Sequence, residues 1–280
     1  MRGLRWAIAS VREAFRKFRW LEYRPFAWVM AAELLFLSLA SSMDRIWGMA
    51  VGGGLMRLMT GESGVHYPTS YIMLPQAFSI LENFLTLFAG SFLIPLGLIR
   101  IQAPKFRTPA TGPLAVGRAR TAYLPTFASV ALNLLLVLGL AAVFPLGPSR
   151  WIHSFVPGVL GDFLSWTTLV ILSYAVAAIV VYVPVRAVED RSNFRYAFLG
   201  GVREGLKRLG PTLCLLILLA WPTFLLLAPV QIRPLTLVRK FRPELITILL
   251  AAVAILGSFI NYLIYSAVAR LHWLDKEREA

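Results

Sequence analysis

Residues 122–145 read AYLPTFASVALNLLLVLGLAAVFP, an apolar run without one charged side chain. About 20 mainly apolar residues are enough for a helix to cross the roughly 30 Å hydrocarbon core of a bilayer. Because the backbone must satisfy its own hydrogen bonds in lipid, a run of this kind forms a helix. This stretch therefore predicts a membrane protein of the all-α class.

Five further runs of similar character flank this one. Together they predict six transmembrane helices, spans 1 to 6, at about 25–43, 76–99, 122–145, 163–185, 211–230 and 245–269. Apolar residues make up 58% of the 280-residue chain and charged residues only 15%, against about 45–50% and 25% in soluble globular domains. The composition excludes a soluble enzyme, a disordered tail and a secreted disulfide scaffold. We expect residues 1–280 to form a single integral membrane domain.

The basic residues are distributed unevenly between the loops. The chain carries 28 Lys and Arg against 14 Asp and Glu, a formal charge of +14. Of those 28, 21 lie before span 1, between spans 2 and 3, between spans 4 and 5, or after span 6. The positive-inside rule then places both termini in the cytoplasm. The outer loop 231–244 departs from this pattern, because it holds Arg233, Arg239, Lys240 and Arg242.

A repeated unit precedes spans 1, 3 and 5. Val116 is separated from Pro125 by nine residues, as Val202 is from Pro211, and Pro25 begins span 1 after a basic segment. We interpret the unit as a basic amphipathic helix on the inner surface, then a proline, then a transmembrane hairpin. Residues 1–24 form the first such segment. The competing interpretation is that leucine-rich spans resemble each other by chance.

The basic surface segments predict contacts with lipid. Aromatic side chains can enter the acyl boundary while arginines on the other face meet anionic headgroups, at about 1 kcal/mol for each basic residue. The residues predicted to bind headgroups are Arg12, Arg16, Lys17, Arg19, Arg24, Arg118, Arg120, Arg203, Lys207 and Arg208. Because these charges lie next to the spans, anionic lipid explains them better than nucleic acid does.

Two carboxylates lie inside the predicted spans, Glu33 in span 1 and Glu82 in span 2. Charges at such depth are costly and usually face the bundle interior or water. Helical rise places the two carboxyl groups at similar depths, where they could share a proton or bind a cation. The spans also contain Asn83, Asn133 and Asn261. The alternative is that these groups serve only as hydrogen bonds between helices.

Small residues on spans 2 and 6 predict close contact between helices, because they let backbones approach. These residues are Gly90, Gly97, Gly257 and Ser258.

Residues 183–194, VPVRAVEDRSNF, and the following 202–206, VREGL, carry a resemblance. The pattern resembles a broad class of six-span bacterial inner-membrane proteins, in which a span ends in proline, an acidic pair follows and a basic helix leads into the next span. The same arrangement occurs in the membrane domain found with some glycerophosphodiester phosphodiesterases. The resemblance implies a fold and a location in the bacterial inner membrane. No phosphodiesterase domain accompanies it here, so it implies no reaction.

Motifs for catalysis are missing from the sequence. It contains no HExxH, no phosphate-binding P-loop and no Gly-x-Ser-x-Gly. We expect no cofactor and no metal site. The prediction is a non-catalytic structural or accessory subunit that contacts anionic lipids and binds other membrane proteins or itself. The alternative is a small proton- or cation-coupled transporter or channel that uses Glu33 and Glu82.

Overall fold

The computed structural model describes residues 2–42, 48–62, 69–106, 111–189, 193–232 and 244–279. Within these ranges the chain forms helices joined by short turns, and they contain no strand. Six helical stretches are long and apolar enough to cross a membrane: Trp20–Ser41, Thr69–Ala103, Pro113–Leu146, Val159–Glu189, Leu209–Ala228 and Glu244–Trp273. The predicted all-α, six-span architecture is confirmed.

Twelve α-helices are described over these ranges. They are α1 Arg2–Arg16, α2 Trp20–Ser41, α3 Gly54–Thr60, α4 Thr69–Leu85, α5 Ser91–Phe106, α6 Pro113–Val143, α7 Pro148–Phe155, α8 Val159–Val180, α9 Tyr182–Glu189, α10 Phe194–Lys207, α11 Leu209–Ile232 and α12 Glu244–Glu279. A wider π-helical turn, Thr86–Gly90, joins α4 to α5 within span 2.

Separate basic helices precede spans 1 and 5, as predicted, but not span 3. α1 ends before α2 begins. α10 ends at Lys207, and the backbone of the next residue, Arg208, leaves the helical region (φ −112°, ψ 21°). Before span 3 the basic segment and the span form one continuous helix, α6. The small side chains of Ala115, Ala119 and Ala122 are buried along it, and α6 packs against α5 and α9. Because that packed face runs without a break into the span, nothing separates a surface helix from it.

The chain divides into two compact units. Unit 1 comprises Met1–Phe26, Leu87–Ala220 and Phe259–Ala280, and unit 2 comprises Ala27–Thr86 and Trp221–Ser258. Within unit 1, α10 packs against α8 and α9. Unit 2 has an apolar core, formed by Phe36, Leu37, Ala40, Met56, Leu74, Ala77, Phe78, Val230, Ile246, Leu250 and Ala254.

Candidate functional site

A buried network of charged side chains lies in unit 1. α9 contributes Arg186 and Glu189, which share a face at a spacing of three residues. α10 contributes Glu204, and α12 contributes His272 and Trp273. These residues are far apart in sequence, so only the packing of three helices brings them together.

Glu204 lies at the centre of this network and is only 6% exposed. Its Oε2 accepts a hydrogen bond from Arg186 Nε at 2.9 Å. Its Oε1 lies 3.1 Å from Arg208 Nη1 and also faces His272 Nδ1. Burial alone raises the pKa of this carboxyl, but the hydrogen bond from His272 and the charges of His272, Arg208 and Arg186 lower the pKa below its ordinary value.

His272 is almost fully buried and uses both ring nitrogens. Nδ1 faces Glu204 Oε1, and Nε2 lies 2.8 Å from Glu189 Oε2. Because both acceptors are carboxylates, the ring must carry a proton on each nitrogen to donate to both. A doubly protonated imidazole has no lone pair for a metal ion. The described part of the chain also contains no group of three or more His, Cys, Asp or Glu side chains that could hold one.

The network joins four helices. Trp273 Nε1 donates to Glu189 Oε1 at 3.0 Å. The guanidinium of Arg208 lies over the Tyr182 ring, 5.5 Å from its centroid, and Tyr182 Oη is 2.9 Å from Thr212 Oγ1 on α11. Buried charges are tolerated when they are paired and hydrogen-bonded. The arrangement therefore holds α9, α10, α11 and α12 together.

Sequence reasoning did not predict this network. Arg186, Glu189 and Glu204 stand in the segment that carries the family resemblance, and His272 lies at a span end. The available signal was the presence of acidic and basic residues beside long apolar runs. Pairing residues about 70 or 80 positions apart requires the packing of the helices.

The intramembrane carboxylates both lie in unit 2. Glu33 on α2 is only 6% exposed, and Glu82 on α4 is exposed. They are near enough for their negative charges to repel. Asn83 and Asn261 are exposed. Asn133 on α6 is partly buried, and its Oδ1 has no hydrogen-bond partner.

Most basic residues predicted to bind lipid are exposed, but three have protein partners. The exposed residues include Arg12, Arg16, Arg19, Arg24, Arg120, Arg203 and Lys207. Lys17 pairs with Glu13, and Arg118 donates to the Val188 carbonyl at 3.3 Å. Arg208 belongs to the buried network, so its assignment to lipid headgroups is corrected. Arg233, Arg239, Lys240 and Arg242 of the loop 231–244 lie outside the described residues.

Close helix contacts occur at only some of the predicted positions. A Cβ atom at Gly97 would lie 2.5 Å from the Phe26 ring, so Gly97 marks a close approach of α5 to α2. Gly90 and Ser258 are buried. Gly257 has open space where a Cβ would stand, so no close helix contact occurs at this position within the described residues. Gly201 and Gly205 on α10, which sequence reasoning missed, leave room for Val183 and for the Ile179 carbonyl.

Comparison with known proteins gives no match. No family model matches the chain, and neither a curated protein nor a solved structure matches it. The arrangement of its side chains is therefore the basis for a functional assignment.

Proposed function

We propose that this chain is a non-catalytic structural or accessory subunit of a membrane complex in the bacterial inner membrane, with both termini in the cytoplasm. It contacts anionic lipids through its basic surface helices and binds other membrane proteins or a second copy of itself. The observation that carries the proposal is a division among the charged groups of unit 1. The buried charges pair with one another, whereas arginines on the surface helices remain exposed.

The three faces of α1 support a position at a membrane surface. Ser10 and Ala14 are buried against the protein. Ile8 and Phe15 are about half exposed and share a second face at a spacing of seven residues. Arg12 and Arg16 lie on a third, adjacent face and are exposed. A helix with apolar and basic faces side by side matches the boundary between acyl chains and headgroups.

The coverage of α6 supports a partner within the membrane. Only 11% of its most apolar stretch is buried inside the structure, against 33–44% of the corresponding stretch in each of the other five spans. Leu124, Leu135 and Leu138 are each more than half exposed.

The resemblance of residues 183–206 to six-span bacterial inner-membrane proteins supports the location. It supports no reaction. The network around Glu204 favours a structural role because its acidic groups already accept hydrogen bonds or ion pairs from protein groups.

The lipid contacts are tested by reconstituting the full chain in mixed lipid and measuring which lipids remain bound after mild extraction. We expect phosphatidylglycerol to be enriched over phosphatidylethanolamine, and the enrichment to fall several-fold in the Arg12→Gln/Arg16→Gln variant. The matched control is Arg57→Gln/Arg150→Gln, which removes two exposed charges from the segments predicted to lie outside. Equal enrichment in both variants, or enrichment insensitive to salt, contradicts the proposal.

The accessory role is tested by purifying the chain from its native membrane in mild detergent and measuring its mass in solution. We expect a stable assembly larger than one chain and its detergent. Leu135→Asn, on the exposed face of α6, should weaken that assembly, whereas Leu58→Asn on α3 should not. A monomer under all conditions contradicts the accessory role.

The second candidate function is proton or cation transport, and one observation favours it. Glu33 is buried and lies close enough to Glu82 for charge repulsion. Two carboxylates in this relation can share a proton or hold a cation. Under this hypothesis the Glu33→Gln/Glu82→Gln variant loses ion flux into proteoliposomes, while Glu62→Gln on the surface retains it. Unchanged flux in the double variant removes transport from consideration.

A further inference from the structure

Pro25 leaves one backbone carbonyl near the start of α2 without its usual partner in the helix. Proline has no backbone N–H, so within a helix the carbonyl four residues earlier loses its usual partner. That carbonyl belongs to Leu21. Arg100 on α5 supplies the missing donor, since its Nη1 lies 2.9 Å from the Leu21 oxygen.

The close approach of α5 to α2 makes this contact possible. Gly97 lies one turn before Arg100 and faces the Phe26 ring, with no room for even a Cβ atom. From this contact between Gly97 and Phe26, the Arg100 side chain extends along α2 toward Leu21. Its Nε is buried and has no hydrogen-bond partner.

Arg24 and Arg100 form an uncompensated pair of positive charges. Arg100 donates to the Leu21 carbonyl, and Arg24 follows Leu21 by three residues on the same face of α2, where the two positive charges repel each other. The nearby acid Glu22 accepts a hydrogen bond from Tyr262 Oη at 3.2 Å. Within the described ranges no carboxylate forms an ion pair with either arginine. Two neighbouring guanidinium groups without a paired carboxylate can bind an anion, and arginine binds phosphate through charge-assisted hydrogen bonds. Arg24 is exposed and can offer two parallel bonds, whereas Arg100 already donates from Nη1 to Leu21 and has a buried Nε.

The surroundings favour a lipid as the source of the phosphate. Trp20 and Leu21 precede Arg24 by four and three residues, so the three side chains share one face of α2. Trp20 is 65% exposed and Leu21 is 44% exposed. Arg100 lies three residues from the end of its candidate span, where headgroups meet the hydrocarbon. Exposed apolar groups beside the arginines can contact acyl chains, which a free phosphate does not have.

We propose that Arg24 and Arg100 bind the phosphate group of one anionic phospholipid at the beginning of span 1. The site rests on the proposed function, because that function already includes contact with anionic lipid. It differs in stoichiometry from the general attraction between the basic surface helices and anionic lipid, which involves many lipids. One lipid binds in a defined place and neutralises two arginines that form no ion pair with a carboxylate in the described part of the chain.

The test uses the purified full chain, delipidated and kept in a neutral detergent. Short-chain phosphatidylglycerol, phosphatidylcholine of the same chain length and inorganic phosphate are titrated separately while the thermal midpoint Tm is followed. We expect only phosphatidylglycerol to raise Tm with saturation, at one bound lipid for each chain. Arg24→Gln and Arg100→Gln should each weaken its apparent affinity about tenfold.

Arg150→Gln on α7 is the matched control, because it also removes one exposed positive charge but lies in a segment predicted to be outside. Arg24→Gln keeps the contact between Arg100 and Leu21, so it tests the site even where Arg100→Gln impairs folding. Saturation by inorganic phosphate at the same concentrations overturns the lipid assignment. Equal affinities of R24Q and R150Q for phosphatidylglycerol overturn the site. One outcome separates the two proposals. If R24Q no longer binds the single phosphatidylglycerol while the Arg12→Gln/Arg16→Gln variant keeps the full enrichment of that lipid, the site is supported and the proposed lipid contact of the surface helices is contradicted.

Discussion

Glu204 illustrates how one acidic residue can organise several helices. Its carboxylate faces Arg186 from α9, His272 from α12 and Arg208 beside α11. Taking one partner from a buried ion pair is costly because the remaining charges stay desolvated. The surrounding residues cannot be rehydrated without separating the helices that they join.

Replacing Glu204 by glutamine should therefore destabilise the chain strongly. We expect a loss on the order of 3 kcal/mol in the free energy of unfolding, because His272 and two arginines lose their shared acceptor charge. Thermal unfolding of the full chain in detergent measures the effect. The control is Glu62→Gln, which breaks an exposed ion pair with Arg57 and should cost less than about 1 kcal/mol. Equal losses in the two variants would show that the network contributes no more than a surface pair.

The same variant should remove an acid dependence. Because the pKa of Glu204 is lower in the folded chain than the ordinary 4.5, its stabilising contribution is complete above that value. The contribution disappears as the pH falls through the folded-state pKa. The difference in Tm between the native chain and E204Q should thus be largest between about pH 4.5 and 6.5, the ordinary pKa values of Glu204 and His272, and should shrink as the pH falls below that window. A difference that instead grows below that window contradicts the paired carboxylate.

At this scale the sequence predicts the type of residue better than its contacts. Glu33 and Glu82 were expected near each other because helical rise gave their depths. The partners of Glu204 could not be found in this way, since depth says nothing about which faces of α9, α10 and α12 meet. Arg208 was assigned to lipid for the same reason. A basic residue beside a span gives the same sequence pattern whether it contacts a lipid headgroup or a buried carboxylate.

The helices themselves were more predictable than their ends. Hydropathy identifies all six spans because each span must by itself be long and apolar enough to cross the hydrocarbon core. It does not detect where a helix continues beyond the lipid. α6 extends 31 residues from Pro113, and α12 extends 36 residues from Glu244. The polar parts of both helices are stabilised by packing and by backbone hydrogen bonds, which composition does not report.

The position of α10 depends on two glycines that hydropathy also does not report. A Cβ at Gly205 would lie 2.0 Å from the Ile179 carbonyl oxygen, and one at Gly201 would lie 2.5 Å from Val183 Cα. Both contacts involve backbone atoms, which cannot move aside without moving a helix. The packing of α10 against α8 and α9 therefore requires hydrogen rather than a side chain at these positions.

Gly205→Ala should consequently destabilise the chain although alanine favours helices. We expect a loss of about 1–3 kcal/mol, because overpacking outweighs the gain in helix propensity. Gly200→Ala on the same helix is the matched control, since its Cβ would meet open space; it should be neutral or stabilising by up to about 1 kcal/mol. Thermal unfolding of both variants provides the measurement. Similar stabilities for G205A and G200A would contradict the close contact with α8.

For the whole molecule, an even number of crossings places both termini on the same side of the membrane. The charge distribution favours the cytoplasmic side in our proposal, since 21 of the 28 basic residues lie in the segments that the positive-inside rule assigns to the cytoplasm. The loop 231–244 opposes this assignment with four basic residues. Its effect is limited because orientation follows the overall bias of the short loops rather than one of them.

Reporter fusions test this topology directly. A fluorescent protein that matures only in the cytoplasm should be bright at either terminus, whereas alkaline phosphatase, which is active only outside, should be inactive there. Phosphatase inserted after residue 240 should be active, and the same insertion after residue 110 should not. Replacing Arg233, Arg239, Lys240 and Arg242 by glutamine should leave this pattern unchanged, because it removes the only strong opposing charge. Phosphatase activity at either terminus would reverse the assignment, and with it the side on which the surface helices meet anionic lipid.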